Sequence, residues 1–132
     1  DSLVDETPRV IAVDEVYRML RHESLIDFLV EAAKTFRTHR KKLICVDQNM
    51  SVFLHGKARL IFENAPIKVI FNQSNGMDVF RNDSAFAHLH DQHKQVIAQL
   101  KRGHFILDQR EKGIIYLYMR ASNSEIARFG DS

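Results

Sequence analysis

The fold is decided by residues 9–15, which read RVIAVDE, an apolar β-type run ending in two adjacent carboxylates, Asp14 and Glu15. A buried strand tolerates two acids only where its C-terminal end opens onto water or onto a site that uses them. At an ordinary strand-to-helix junction, the same acids would stabilise the first turn of the helix, because negative charge is favourable at the positive end of the helix dipole. The stretch therefore predicts a buried strand whose end is either a catalytic site or an acidic helix start.

The composition indicates one soluble globular domain, which we place at residues 1–132. Nineteen Lys and Arg against seventeen Asp and Glu give a net charge of +2, which is too balanced for an obligate nucleic-acid binder. Cys45 is the single cysteine, so an intrachain disulfide is excluded. The sequence has no apolar stretch of membrane-spanning length, and it begins at Asp1 without a methionine. We therefore expect a piece of a longer protein.

Two further apolar runs repeat the pattern of the first, separated from it by helical segments. The run 43–46 ends in Asp47 and Gln48, and the run 67–71 ends in Asn72 and Gln73. Short apolar runs joined by helical crossovers predict an α/β fold with parallel strands buried on both faces. Because ligands bind outside the carboxyl ends of such strands, the three polar ends predict one site, although strand ends also need polar residues simply to meet water.

The remaining elements are predicted from periodicity and capping signals. A long helix begins near Ser24, where Ser24 and Asp27 form a capping-box-like pair, and a short helix covers 56–64. A largely helical stretch runs to about residue 102, with Gly103 as its C-cap. Apolar β-type runs at 105–107 and 114–119 predict a hairpin, and residues 124–129 predict a short terminal helix.

An apolar run before Asp-Glu is also the shape of a Walker B strand. In phosphate-transfer ATPases the first acid orients a water on Mg²⁺ and the second polarises the attacking water. Asp14 and Glu15 fit these two roles. On the neighbouring strand, the Gln48 amide can hydrogen-bond both a γ-phosphate oxygen and that water.

The order of these segments resembles a known family, the large ATPases of conjugation and type IV secretion (the fourth VirB protein and its TraC relatives). The matching features are a hydrophobic-Asp-Glu strand, an amphipathic helix with a terminal arginine, a strand ending in Gln, a Phe-Leu segment, and Ile61-Phe62-Glu63-Asn64-Ala65 before another strand ending in Gln. The resemblance covers residues 9–129 and rests on order and spacing. It implies the C-terminal part of a RecA-like P-loop NTPase fold, akin to HerA and FtsK motors.

The resemblance also implies site residues. Asp14 is then the Mg²⁺-orienting and nucleotide-binding acid, Glu15 the catalytic glutamate, Gln48 the sensor glutamine, and Arg37 an arginine that reaches a phosphate across a subunit boundary. Asp47 lies beside the phosphates, where the family usually has threonine. Thr38 also replaces the usual lysine after the arginine. Both departures weaken the match at those positions.

The same resemblance implies ATP and Mg²⁺ as cofactors and a homo-oligomer, commonly a hexamer, as the assembly. Partners are the components of a conjugation or secretion channel, with DNA as a further candidate, at the cytoplasmic face of the bacterial inner membrane. The alternatives are a HerA/FtsK-like DNA translocase and a non-catalytic interaction module.

A phosphate-binding P-loop is missing from the sequence. No G-x-x-x-x-G-K-[ST] motif occurs, and Gly56-Lys57 lacks the upstream glycine and is followed by Ala58. We therefore expect the Walker A half to lie upstream and the chain to be inactive alone. We also expect self-association, because the missing strands would leave sheet surface uncovered.

Two other patterns have simpler interpretations. His88, His90 and His93 form an H-x-H-x-x-H pattern, for which a solvated helix start is a better explanation than a metal site. Cys45 in mid-strand predicts a small buried hydrophobe rather than a nucleophile.

Overall fold

A computed structural model describes residues 7–73 and 76–120. The chain divides into two compact units. The first comprises Asp1–Pro66 and Gly76–Ala87, and the second comprises Ile67–Asn75 and His88–Ser132. Each unit has its own sheet, and the predicted terminal helix at 124–129 lies outside the described residues.

The first unit is a β-α-β element followed by helices. Strand β1 (Arg9–Asp14) leads through a 3₁₀ turn (Val16–Arg21) into helix α1 (Glu23–Thr35), and a second 3₁₀ turn (Phe36–His39) leads into strand β2 (Lys41–Val46). β1 and β2 pair in parallel, with Arg9 opposite Lys41 and Asp14 opposite Val46. This confirms the parallel pair with a helical crossover that the sequence predicted.

The core of the first unit lies between one face of this sheet and two helices. Helix α2 (Ala58–Asn64) packs on α1, and the buried cluster consists of Ile26, Leu29, Val30, Ala58 and Ile61. The alternating side chains Val13, Leu43 and Cys45 pack against it. On the opposite face of the strands, Val10, Ile44 and Val46 are about half exposed or more, at 62%, 49% and 48%. Parallel sheets are ordinarily covered on both faces. The prediction that these strands are buried on both faces is therefore wrong for the described residues, and the exposed face is unusually apolar for a surface.

Helix α3 (Met77–Asn82) completes the first unit. Phe80 and Phe86 are fully buried, and their ring centroids lie 4.4 Å apart. The Arg59 guanidinium holds the carboxylate of Asp83 in two hydrogen bonds of 3.1 Å each. Helix α3 and the residues just after it are therefore held to α2 by aromatic packing and by this bidentate ion pair.

The second unit contains a three-stranded antiparallel sheet in the order β3-β4-β5. Strand β3 (Lys68–Ile70) pairs with β4 (His104–Asp108), which forms a hairpin with β5 (Ile114–Tyr118). Helix α4 (Asp91–Gln99) buries Ile97. The predicted C-terminal hairpin and its loop are confirmed, and the α/β fold class is confirmed with them.

The prediction from sequence that the third apolar run extends the parallel sheet is wrong. β3 has only three residues and pairs antiparallel with β4. The amide of Asn72, just beyond β3, donates to the carbonyl of Leu100 at 2.8 Å, so it satisfies backbone groups beyond the end of α4. Asn72 therefore serves the fold of its own unit, and the expectation of a third polar strand end at the same sheet edge is wrong.

Two predicted helix ends also differ. Helix α1 begins at Glu23 with His22 as its N-cap, so Ser24 lies inside the helix and makes no capping box. Helix α4 ends at Gln99, and Gly103 lies in the turn that enters β4, with φ of 82°. A Cβ on Gly103 would lie 3.0 Å from the carbonyl oxygen of Met119, which explains the glycine there by close approach of the hairpin.

A buried carboxylate, that of Asp108, lies in the second unit. Asp108 is fully buried, its Oδ2 lies 2.6 Å from His88 Nε2, and its Oδ1 accepts the amide of Arg110 at 2.9 Å. His88 therefore has a structural partner. Among residues 7–73 and 76–120, no group of three His, Cys, Asp or Glu side chains is placed to hold a metal ion. In the same ranges, no helix is long and apolar enough to span a membrane.

Candidate active site

The candidate site lies at the carboxyl edge of the parallel pair. Because β1 and β2 are parallel and Asp14 is opposite Val46, the residues that follow both strands emerge at the same edge. Asp14 is the last residue of β1 and Glu15 follows it, and Asp47 and Gln48 follow β2. The structure therefore brings together four of the five residues that the sequence analysis singled out.

The backbone at Glu15 has an unusual conformation. Its φ of 54° and ψ of 57° lie in the left-handed region, which costs a non-glycine residue about 1–2 kcal/mol. Its amide donates to Asp14 Oδ1 at 2.8 Å, and its carbonyl accepts the amide of Arg18 at 3.0 Å. Strained backbone of this kind concentrates at functional sites. The strain here ends the strand abruptly and starts a 3₁₀ turn with both acids at its beginning.

An ion pair holds the carboxylate of Glu15. Arg18 Nε lies 2.8 Å from Glu15 Oε2 and 3.3 Å from the hydroxyl oxygen of Tyr17. The pKa of Arg18 is raised, mainly by the hydrogen bond to the Tyr17 hydroxyl and to a smaller extent by the negative charge of Glu15. Arg18 was not among the residues predicted from sequence, although it lies three residues after Glu15, the spacing at which side chains meet in a 3₁₀ turn.

The carboxylate of Asp47 accepts hydrogen bonds from two backbone amides. Its Oδ2 accepts the amide of Tyr17 at 3.0 Å, and its Oδ1 accepts the amide of Asn49 at 3.0 Å. Both carboxylate oxygens thus have backbone partners within the first unit. Asp47 therefore links the end of β2 to the turn that follows Glu15. The next residue, Gln48, is exposed.

Arg37 lies at the other edge of the sheet. It is exposed in the 3₁₀ turn that precedes β2, next to the first residues of the strands. A six-residue strand separates that edge from Asp14, which is roughly 17 Å at 3.3 Å per residue. Arg37 therefore does not join the acids within the sheet of one chain.

Lys57 has carboxylate partners of its own. Its Nζ lies 2.6 Å from Asp27 Oδ1 and 3.0 Å from Glu23 Oε1, and both acids are on α1. These contacts raise the pKa of Lys57. The Gly56-Lys57 pair therefore fastens the start of α2 to α1, in agreement with the conclusion from sequence that it is not a P-loop.

The chemistry of the edge suits a hydrated divalent cation and a phosphate. Carboxylate oxygens are hard ligands, and Mg²⁺ in phosphate-transfer sites usually takes one or two of them, with waters and phosphate oxygens in its remaining positions. Asp14 is exposed at the strand end, where such a water-mediated contact requires it.

Comparison with solved structures shows a strong likeness in fold. The structure of VirB4 of Thermoanaerobacter pseudethanolicus matches with a TM-score of 0.73 at 22% identity, over 92% of this chain and 34% of that chain. The chain thus spans about a third of the length of that protein. No protein-family model and no curated protein matches the sequence. The likeness establishes the fold, which is the fold that the resemblance noted in the sequence implied.

Proposed function

We propose that the chain is the acid-bearing part of a motor ATPase of the conjugation and type IV secretion class, a relative of VirB4. The observation that supports this most strongly is the shared edge of β1 and β2, where Asp14 and Glu15 end one strand and Gln48 follows the other. The VirB4 fold makes that edge the expected place for nucleotide chemistry.

Each residue at this edge has a proposed role. Asp14 orients a water ligand of Mg²⁺, and Glu15 polarises the water that attacks the γ-phosphate. Gln48 senses the γ-phosphate through its exposed amide. Mg²⁺ would supply charge neutralisation at the phosphates when bound. Asp47 lies beside the nucleotide and keeps the two loops together through its amide contacts.

ATP binding needs groups that this chain does not contain. The sequence has no P-loop, and the described lysine that follows a glycine, Lys57, is bound to two acids of α1. We propose that a Walker A segment outside these residues supplies the phosphate cradle and that the chain alone is inactive. Two observations support this: VirB4 is about three times as long as the matched region, and the outer face of β1 and β2 is exposed and apolar.

The assembly follows from the same proposal. We propose a homo-oligomer, a hexamer in the complete motor, that docks on a secretion or conjugation channel at the cytoplasmic face of the inner membrane. The cargo includes DNA if the motor serves conjugation. The position of Arg37 at the far edge of the sheet suits contact with a neighbouring subunit, because it lies away from the acids of its own chain.

The experiment is Mg²⁺-dependent ATP hydrolysis by the full-length gene product and its Glu15→Gln variant. The matched control is Glu31→Gln, which changes an exposed glutamate on α1. We expect the turnover of Glu15→Gln to fall at least a hundredfold and that of Glu31→Gln to stay unchanged. Equal turnover in all three proteins, or none in the unaltered protein, would contradict the ATPase proposal and favour a non-catalytic interaction module.

A further inference from the structure

We propose that Arg18 is a positioning residue that orients the carboxylate of Glu15 toward the attacking water. This inference rests on the proposed function, since it assigns a role in the same ATP hydrolysis. The supporting contact is the 2.8 Å ion pair between Arg18 Nε and Glu15 Oε2. Arg18 has no place in the Mg²⁺ or phosphate contacts proposed above.

The backbone builds this ion pair. The left-handed conformation of Glu15 starts the 3₁₀ turn, and the Glu15 carbonyl accepts the Arg18 amide at 3.0 Å. Side chains three residues apart eclipse each other in a 3₁₀ turn. The strain at Glu15 therefore places the guanidinium directly beside the carboxylate.

Tyr17 holds Arg18 from a second direction. Arg18 Nε donates to the Tyr17 hydroxyl at 3.3 Å, and the guanidinium carbon lies 5.8 Å from the centre of the Tyr17 ring. The amide of Tyr17 is in turn fixed by Asp47 at 3.0 Å. The turn that presents Arg18 is thus fastened to β2.

The geometry of the pair favours orientation over stability. The contact is to Oε2, and in the proposed arrangement Oε1 is the oxygen that faces the attacking water. Exposed ion pairs contribute little to the stability of a fold, and both side chains are substantially exposed, at 67% and 37%. A glutamate side chain has several rotatable bonds, and misplacement of a catalytic group by about 1 Å can cost a hundredfold in rate.

Charge balance at the edge supports the same role. Asp14, Glu15 and Asp47 put three carboxylates where an anionic nucleotide must approach. The guanidinium of Arg18, paired with Glu15, offsets part of the repulsion between these carboxylates and the nucleotide. Because it does not pair with Asp14, it leaves that carboxylate for Mg²⁺. Arg18 thus orients Glu15 and leaves the metal contact free.

The test compares Arg18→Met with Arg21→Met in the full-length gene product. Arg21 is an exposed arginine in the same 3₁₀ turn and serves as the control. We expect kcat of Arg18→Met to fall at least tenfold while KM and ATP affinity stay within twofold, and Arg21→Met to behave like the unaltered protein. Arg18→Lys should recover part of kcat, because it restores the charge without the planar guanidinium.

A double variant separates orientation from other effects. In the Glu15→Gln background, Arg18→Met should lower the residual rate by less than twofold, because the interaction that it removes is already lost. An equal tenfold fall there, or an unchanged kcat in Arg18→Met alone, would overturn the inference. Full activity in Arg18→Met with inactive Glu15→Gln would overturn this inference only. Absence of turnover in the unaltered protein would overturn the proposed function and this inference together.

Discussion

Asp47, the first residue after β2, accepts the backbone amide of Tyr17 at 3.0 Å, in the turn that follows β1. Its other oxygen accepts the amide of Asn49 at 3.0 Å. One side chain thus joins the loop that contains Gln48 to the turn that begins at Glu15. Asp47 is therefore a structural link between the residues that follow the two strands.

Replacement of Asp47 should loosen both loops. Asp47→Ala removes two hydrogen bonds to a charged acceptor, so we expect the free energy of unfolding to fall by about 1–3 kcal/mol. Asp47→Asn, with one carbonyl oxygen, should lose about half as much. Urea denaturation measures both. An Asp47→Ala protein as stable as the unaltered one would show that the link is not formed in solution.

The ion pair of Arg59 and Asp83 should matter more than that of Lys57 with its acids. The side chains of Arg59 and Asp83 are only 29% and 23% exposed, whereas Lys57, Glu23 and Asp27 are 46–81% exposed. We expect Arg59→Met to lower the melting temperature by several degrees and Lys57→Met by much less. Equal shifts in the two variants, measured by circular dichroism, would contradict this ranking.

The same pair predicts an acid dependence. The Arg59 guanidinium, and then the amide of Ala85, lower the pKa of Asp83 below its ordinary value of 3.8. A lowered pKa in the folded state means that the stabilisation is present above pH 3.8 and is lost as the pH falls through the lower folded value. The stability difference between Arg59→Met and the unaltered protein should therefore shrink below about pH 4. A difference that stays constant from pH 7 to pH 3 would contradict the assignment.

Cys45 should be unreactive in the folded protein. Burial raises the pKa of its thiol from 9.0 to about 11, since its side chain packs against the core of the first unit. At pH 8 the thiolate fraction should then be about a hundredfold smaller than for a thiol with the ordinary pKa. Labelling with a thiol reagent should be slow at pH 8 and should accelerate toward pH 11.

Two further measurements test the burial of Cys45. Urea should abolish the protection, because unfolding returns the thiol to water. As the folded pKa is raised, the thiol's contribution to stability should decline as the pH rises from 9 through 11. Equal labelling rates at pH 8 with and without urea would show that Cys45 is not buried.

Arg37 should act on a neighbouring subunit. Because it lies at the sheet edge opposite the acids, an Arg37→Ala protein and a Glu15→Gln protein should each be inactive alone, and mixed oligomers should regain activity. In such oligomers, some interfaces combine an intact Glu15 with an intact Arg37. Lys34→Ala, at an exposed position on α1, is the control and should stay active. Failure of the mixture to exceed either variant alone would contradict action between subunits.

The first unit was largely predictable from sequence because its elements have strong periodic signals. The runs 9–14 and 41–46 alternate around a shared core, and the helix between them fixes a parallel pairing. The prediction for the third run was wrong because a strand of three residues, Lys68–Ile70, has no pattern that distinguishes parallel from antiparallel pairing. The hairpin partner β4, more than thirty residues later, decided the pairing.

The positions of the candidate residues at the strand ends were predictable from sequence, but their contacts were not. Asp14, Glu15 and Gln48 follow from strand ends, whereas the amide partners of Asp47 depend on a loop conformation that has no sequence signature. The ion pair of Arg18 depends on the left-handed backbone at Glu15, where glycine or asparagine would be the usual signal. Local strain of this kind is set by tertiary context.

The most direct test of the account is the identity of the nucleotide held by the full-length Glu15→Gln protein after incubation with ATP and Mg²⁺. If Glu15 polarises the attacking water and the other groups only bind, the variant should retain unhydrolysed ATP, while the unaltered protein retains ADP. Bound ADP in both proteins at the same rate, or no bound nucleotide in either, would contradict the proposal that this strand end is the catalytic edge of an ATPase.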